Sequence, residues 1–485
     1  MKPSGVTSGI ILQVTADLIN LGCGFAVFGY LSRRLGSVDY GVYSVAFLLA
    51  QWCGDILGIF IGPGTVRMVA GHDHGRRYAR TMLVLAVIGG GACGMVLAAC
   101  APFFSRAFGA PELCRTLRVL ACGLPFTTCG HIYTLILTGQ GRHGAAAMVG
   151  CGYWLCRLMC AIGLLEAGWG VLGAAAAVSV AEVVRTGAGR LASGVRVINA
   201  ARMSFITVFR HTGVLAGASC AMRVLNQMDL LAVKYFQPDP SAAGLYAAAQ
   251  NICLLPSTLF QSSSSVMLRS IAAGLRRHTA ATRGALVEPY LRMAVLAAGV
   301  TVAMVPLAPG LVEFLLGSSF AAAGRTAGFL LVAVAFRMLA ASGRGIAGGY
   351  GERAVFVLGL TALAAVAAAV YAWRIPVIAA RFAAAGRQPI EAYAIVAAAL
   401  AVATALGCLM GGVSISGSRF PWITAVRALT GGAIAAWVGS ILPGDGLRVL
   451  AAVAATAAVY GAVVVVLGER FRFVTPASED VPGDA

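Results

Sequence analysis

Charge is what this chain has least of. Only 11% of its 485 residues are Asp, Glu, Lys or Arg, whereas charged residues make up roughly a quarter of a soluble domain. Lysine is almost absent, with Lys2 and Lys234 the only two. Together with a mean hydropathy of +0.85, this scarcity excludes a water-soluble globular protein. Other absences narrow the chemistry. No two aspartates are adjacent, so the acidic cluster that holds magnesium in a phosphosugar transferase is missing. No G-x-x-x-x-G-K-[ST] loop is present, which excludes ATP hydrolysis by that route. The large external loop of a glycan polymerase is also missing. The 13 cysteines form no C-x-x-C pair. Cys93, Cys100, Cys122, Cys151, Cys156 and Cys160 lie inside apolar runs as small core hydrophobes, and even Cys156 and Cys160, which share a helix face, lack further ligands. No metal site and no cofactor is expected.

What the chain has is apolar sequence in lengths that span a bilayer. Runs of about 20 apolar residues recur from residue 8 to residue 468, and their continuous Ala, Leu and Gly content favours helices over the alternating pattern of a barrel. Fourteen helices are predicted, near 8–31, 42–61, 81–104, 117–138, 145–165, 170–191, 208–233, 244–267, 291–316, 326–348, 354–373, 391–412, 422–442 and 447–467. The first, "MKPSGVTSGIILQV", has no evident small-x-small cleavage site and reads as a retained helix. The net charge of +18 is spread over short loops, not gathered into a nucleic-acid patch. With the amino terminus in the cytoplasm, Arg67, Arg76, Arg77 and Arg80, then the loops of 185–210, 269–292 and 337–353, all fall on the cytoplasmic side, which places both termini inside. The stretch 374–390, "RIPVIAARFAAAGRQPI", puts three arginines on the other side and reads as a short interfacial helix.

Two stretches echo each other. In "LSRRLGSVDYGVYS" (31–44) and "LAVKYFQPDPSAAGLYAAAQ" (231–250), Arg34 aligns with Lys234 and Asp39 with Asp239. After a three-residue insertion, Gly41 aligns with Gly244 and Tyr43 with Tyr246. "TGQGR" (138–142) and "GGYGER" (348–353) repeat in the same order. Six helices separate the copies, so both halves cross the membrane in the same sense, a parallel repeat. The expected architecture is all-α and polytopic: two parallel six-helix bundles, at 1–200 and 201–412, two additional helices at 413–470, and a cytoplasmic tail at 471–485. The 31–44 stretch is expected as a charged hairpin loop, its arginines Arg33 and Arg34 anchored at head groups with Asp39 as local partner.

These features resemble one family. "SRRLGSVDYGVYSVA", "NQMDLLAVKYF" followed by "AGLYAAAQNICLLP", and "GWGVLGAAAAVSVAE" are similar to the lipid-linked oligosaccharide flippases of the multidrug/oligosaccharidyl-lipid/polysaccharide exporter superfamily. The resemblance covers most of the first 350 residues. It implies a fourteen-helix inner-membrane protein that is not an enzyme and moves a polyprenyl-pyrophosphate-linked sugar unit between leaflets. Partners would be the lipid-linked glycan, membrane lipids, and a glycan polymerase and glycosyltransferases, with the chain itself a monomer.

Ionisable groups inside the bilayer cost about 3 kcal/mol each on insertion scales and need a partner or a wet cavity. Arg157, Arg223 and Arg337 fall near mid-span, with Asp55 and Asp229 as the opposing acids, for ion coupling or structure. Two readings stay open: scaffold ion pairs, or a cationic cavity whose guanidinium forks bind pyrophosphate. Gln250, Ser257 and Gln261 share a helix face suited to sugar hydroxyls or to interhelical hydrogen bonds. Asn226 and Gln227 share a face with Arg223. Gly54, Gly58 and Gly62 form a small-residue stripe for close packing. An ion-coupled multidrug exporter of the same superfamily is the alternative within the fold, although its chemistry favours deep acids over deep arginines. A membrane enzyme of cell-envelope glycan synthesis is the alternative outside it.

Overall fold

A computed structural model of the chain describes residues 3–69, 75–195, 220, 223, 226–275, 280–349, 359, 363, 366–367, 373–416, 420–442, 446 and 448–469. These residues are helical almost throughout, with no strand among them. Among them, nine helical stretches are long and apolar enough to cross a membrane, so the chain is a polytopic all-α membrane protein. The residues of the 471–485 tail, most of the 354–373 helix and the start of the 208–233 helix lie outside the described residues.

The chain forms two compact units, one comprising Met1–Ala248, Leu315–Ala322 and Val357–Ile390, the other Ala249–Phe314, Ala323–Phe356 and Glu391–Ala485. In the first unit α1 (Pro3–Val69), α2 (Gly75–Ala107), α3 (Pro111–Gly139), α4 (His143–Glu166) and α5 (Gly170–Ser193) pack around α3, which touches all four others. Helix α3 starts on Pro111, where a missing N–H costs nothing. Its Cys129, Ile132, Tyr133 and Ile136 bury against Tyr78, Met82, Leu83 and Ala86 of α2, residues at i, i+3, i+4 and i+7 spacing that present one apolar stripe. A helical segment at 226–236, α6, belongs to the same unit and leads into α7 (Ala242–Leu275), whose first residues the unit includes.

The predicted loop at 31–44 is not a loop. Helix α1 runs through it and breaks at one residue, Gly36 (φ 72, ψ 177), a backbone region that essentially only glycine reaches. One residue therefore changes the chain's direction while its neighbours stay helical. The second arm of α1 begins against the start of α7: a Cβ on Gly41 would stand 2.8 Å from the Gly244 nitrogen. Two aligned glycines of the repeat thus meet backbone to backbone. The segment 315–322 closes over the same corner, with Tyr40 and Phe320 rings edge to face at 5.6 Å. Arg34 does not pair with Asp39, five residues on; its partner is Glu166 at the end of α4, which also accepts the Tyr30 hydroxyl at 2.8 Å. Tyr30 and Arg34, four residues apart on the first arm of α1, reach Glu166 together, and no local contact could have signalled a carboxylate 132 residues away.

The second unit holds α8 (Ala280–Ala303), α9 (Ala308–Leu316), α10 (Gly324–Gly349), α12 (Pro389–Ser416), α13 (Trp422–Ile441) and α14 (Arg448–Val466); α11 (Ile375–Ala384) belongs to the first. Val295 and Ala303 of α8 bury against Ala428 and Ala435 of α13 and Tyr460 and Val464 of α14. The opposite side of α13 leaves Trp422, Val426, Leu429 and Trp437 exposed, as a helix facing lipid does.

A charged latch fastens these three helices. Glu469, 4% exposed just past α14, accepts from Thr424 Oγ1 at 3.0 Å and Arg427 Nη1 at 2.7 Å, with Arg292 Nη1 3.6 Å away. Glu469→Ala is expected to cost about 2–3 kcal/mol, the range for hydrogen bonds to charged groups, and to lower the thermal midpoint of the purified protein. Glu469→Gln should recover part of that loss. An unchanged midpoint in Glu469→Ala would show that the latch carries no stability.

Candidate functional site

The predicted polar residues separate into distinct settings. Arg223 meets Asp55 across α1: its Nη2 donates to the Asp55 carboxylate. Both side chains are about one third exposed. One helical turn earlier on α1, Trp52 Nε1 donates to Gln227 Oε1 at 2.7 Å. The second arm of α1 and the helix carrying 223–227 are therefore joined by one ion pair and one neutral hydrogen bond. Asn226 is half-buried beside them.

Arg157 is enclosed. It is 1% exposed, donates from Nη2 to the Tyr43 hydroxyl at 2.6 Å and from Nη1 to the Tyr153 hydroxyl at 3.3 Å. Its guanidinium lies over the Phe47, Trp154 and Phe28 rings at 4.8, 5.1 and 5.8 Å. Among the described residues, ring quadrupoles and hydroxyl oxygens, not a carboxylate in salt-bridge range, offset the desolvated charge. Asp229 is equally buried at 1% and takes the Tyr246 hydroxyl on Oδ2 at 2.8 Å. The aligned tyrosines of the repeat thus serve opposite charges: Tyr43 accepts from a cation, Tyr246 donates to an anion.

Sequence reasoning missed the pair Glu182 and Arg185 on α5. Their carboxylate and guanidinium are 3.0 Å apart, and Arg185 also donates to Thr127 O of α3 at 2.9 Å and lies over the Tyr153 ring of α4 at 5.2 Å. The signal was present in "AEVVR": an acid and a base three residues apart inside an apolar run, spaced to meet on one helix face. Gly54 and Gly58 do pack closely, against Thr127 and His131 of α3. Beside them a cavity of about 10 Å³ is lined by Leu57, Thr128 and His131; it holds one water at most and no sugar.

In the second unit, Arg337 on α10 is half-buried. On α7, Gln250 and Ser257 are half-buried and Gln261 is exposed. The Ser257 hydroxyl donates to the Leu254 carbonyl of its own helix at 2.8 Å, which occupies its proton locally.

The fold and these membrane-embedded charges define a class: polytopic helical membrane proteins with ionisable groups inside their spans. The chain is similar to the inward-closed lipid II flippase MurJ (14% identity, TM-score 0.66, covering 94% of this chain and 98% of that one). It is also similar to an inward-facing multidrug resistance MATE family transporter of the MOP superfamily (18%, 0.61, 84% and 98%). A third likeness is to a MOP superfamily transporter from Pyrococcus furiosus, whose binding pocket is described as reversed in polarity (16%, 0.60, 84% and 95%). At these identities the likeness is one of fold. No curated relative matches the chain. The sequence profile of the polysaccharide biosynthesis protein family matches residues 30–324, more than half of the chain, and the chain belongs to that family.

Proposed function

We propose that the chain is a flippase that carries a polyprenyl-pyrophosphate-linked oligosaccharide from the inner to the outer leaflet of the cytoplasmic membrane by alternating access, without catalysing bond chemistry. The observation that carries this reading is Arg223. A guanidinium in a membrane helix, one third exposed and held by one carboxylate, can exchange that carboxylate for a phosphate oxygen pair of matching geometry. Asp55 then keeps the site neutral while it is empty. Membership of the polysaccharide biosynthesis family supports a glycan-bearing substrate. Asn226, Gln227, Gln250 and Gln261 would meet sugar hydroxyls, Arg337 would extend the cationic path, and Asp229 would couple an ion or hold structure. Arg157 would join only if its cage opens. Both termini would be cytoplasmic, the two halves would form parallel six-helix bundles, and the monomer would work beside glycosyltransferases and a polymerase.

Loss of the protein should leave sugar-loaded carrier lipid on the inner leaflet while glycosyltransferase activity persists. Arg223→Ala should keep normal membrane abundance and reduce translocation at least tenfold, about 1.4 kcal/mol of lost binding. Recovery of both abundance and translocation in the neutral Asp55→Asn/Arg223→Gln pair would refute the binding role and leave Arg223 a scaffold residue.

A further inference from the structure

The stretch 373–390 has no part in the reading above, yet it holds three arginines and only one short helix. Helix α11 has 10 residues, about 15 Å at 1.5 Å per residue, half of what a span needs. It docks through Ile375 and Ala379, both buried. Arg374, its N-cap, and Arg381 are exposed and seven residues apart, so they share a face. Trp373 and Val377, 77% and 50% exposed, lie four residues apart on a neighbouring flank. Arg387 follows just beyond the helix, over the Phe382 ring at 5.8 Å, and Arg374 lies over the Trp373 ring at 5.5 Å. Among the described residues none of the three arginines has a carboxylate partner, and Glu391, the nearest acid in sequence, is buried at the start of α12. The sequence reading of 354–373 as a span, most of which lies outside the described residues, puts these three cations on the opposite side of the membrane from the arginines of 67–80.

We infer that α11 lies in the membrane–water interface and that Arg374, Arg381 and Arg387 bind the phosphates of anionic phospholipids in that leaflet. Cations beside an exposed Trp and Val, on a helix too short to span, match the polar and apolar halves of a lipid surface. All three arginines are exposed and spread along the stretch instead of converging on one point, which suits a layer of head groups better than one soluble anion.

The test uses the full chain in mixed phosphatidylcholine and phosphatidylglycerol vesicles, with bromine quenchers on one lipid or the other. The Trp373 signal is the difference between wild type and Trp373→Phe. Quenching should be stronger from brominated phosphatidylglycerol, and the preference should fall about fivefold for each arginine replaced by glutamine. Arg374→Lys/Arg381→Lys/Arg387→Lys should retain it, since a surface of phosphates reads charge. Equal quenching by the two lipids in the wild type would overturn the inference. So would loss of the preference on adding inorganic pyrophosphate at constant ionic strength, which would make the arginines a discrete anion site.

Discussion

Gly244→Ala should be the most damaging glycine-to-alanine change among the described residues. A Cβ there would fall on the carbonyl oxygen of Ser37 and stand 2.8 Å from its carbon. The obstacles are backbone atoms, which cannot rotate away as a side chain does, so α1 and α7 must move apart. Overpacking typically costs 1–3 kcal/mol and occasionally more; with no compliant neighbour, about 3 kcal/mol is expected here. Gly41→Ala should cost less, because its new methyl meets the Gly244 nitrogen and Cα at 2.8 and 3.3 Å. The measurement is membrane abundance together with the thermal midpoint of the purified protein. Wild-type values for Gly244→Ala would mean that the two helices do not approach this closely. If the protein alternates its opening as proposed, the same methyl should also bias it away from the arrangement in which α1 and α7 touch.

The second large effect concerns Arg157. Truncation to alanine removes a guanidinium that holds two tyrosine hydroxyls and is faced by three rings. Both hydroxyls lose their partner in a buried site, at about 1–3 kcal/mol for each group left unsatisfied, and a cavity remains. Folded protein should drop sharply in Arg157→Ala. Arg157→Lys should rescue only part, because an ammonium lacks the planar fork that reaches both hydroxyls while stacking on rings. Arg157→Met separates structure from binding: it fills the volume without charge, and such replacements of buried ions are often neutral or stabilising. A Met variant that folds and translocates normally would make Arg157 purely structural. One that folds but does not translocate would place Arg157 on the substrate's path after all.

The two predictions rest on different kinds of legibility. Gly41, Gly244, Tyr43 and Tyr246 could be aligned by eye, because a repeat is a one-dimensional pattern. Their use could not. That the glycines touch and that the tyrosines serve opposite charges depends on which helices the fold brings beside them. Arg157 illustrates the same limit, since a mid-span arginine reads alike whether it lines a wet cavity or sits in a ring cage. Only the positions of Phe28, Phe47, Tyr43 and Trp154 distinguish the two.

By itself the sequence determined that this is a helical membrane protein, and placed most of its helices: the predicted 117–138, 145–165 and 170–191 became Pro111–Gly139, His143–Glu166 and Gly170–Ser193. Hydrophobic length is a local property that a bilayer reads segment by segment. Tertiary structure decided the rest. It converted a supposed loop into a break at Gly36 alone, and it matched Arg34 with Glu166, Arg223 with Asp55, and Glu469 with Arg427. The physical reason is that ions pair across whichever helices the packing sets side by side, and a buried one such as Glu469 cannot do without such partners. Those partners lie 132, 168 and 42 residues apart in the chain, distances over which no local pattern carries information.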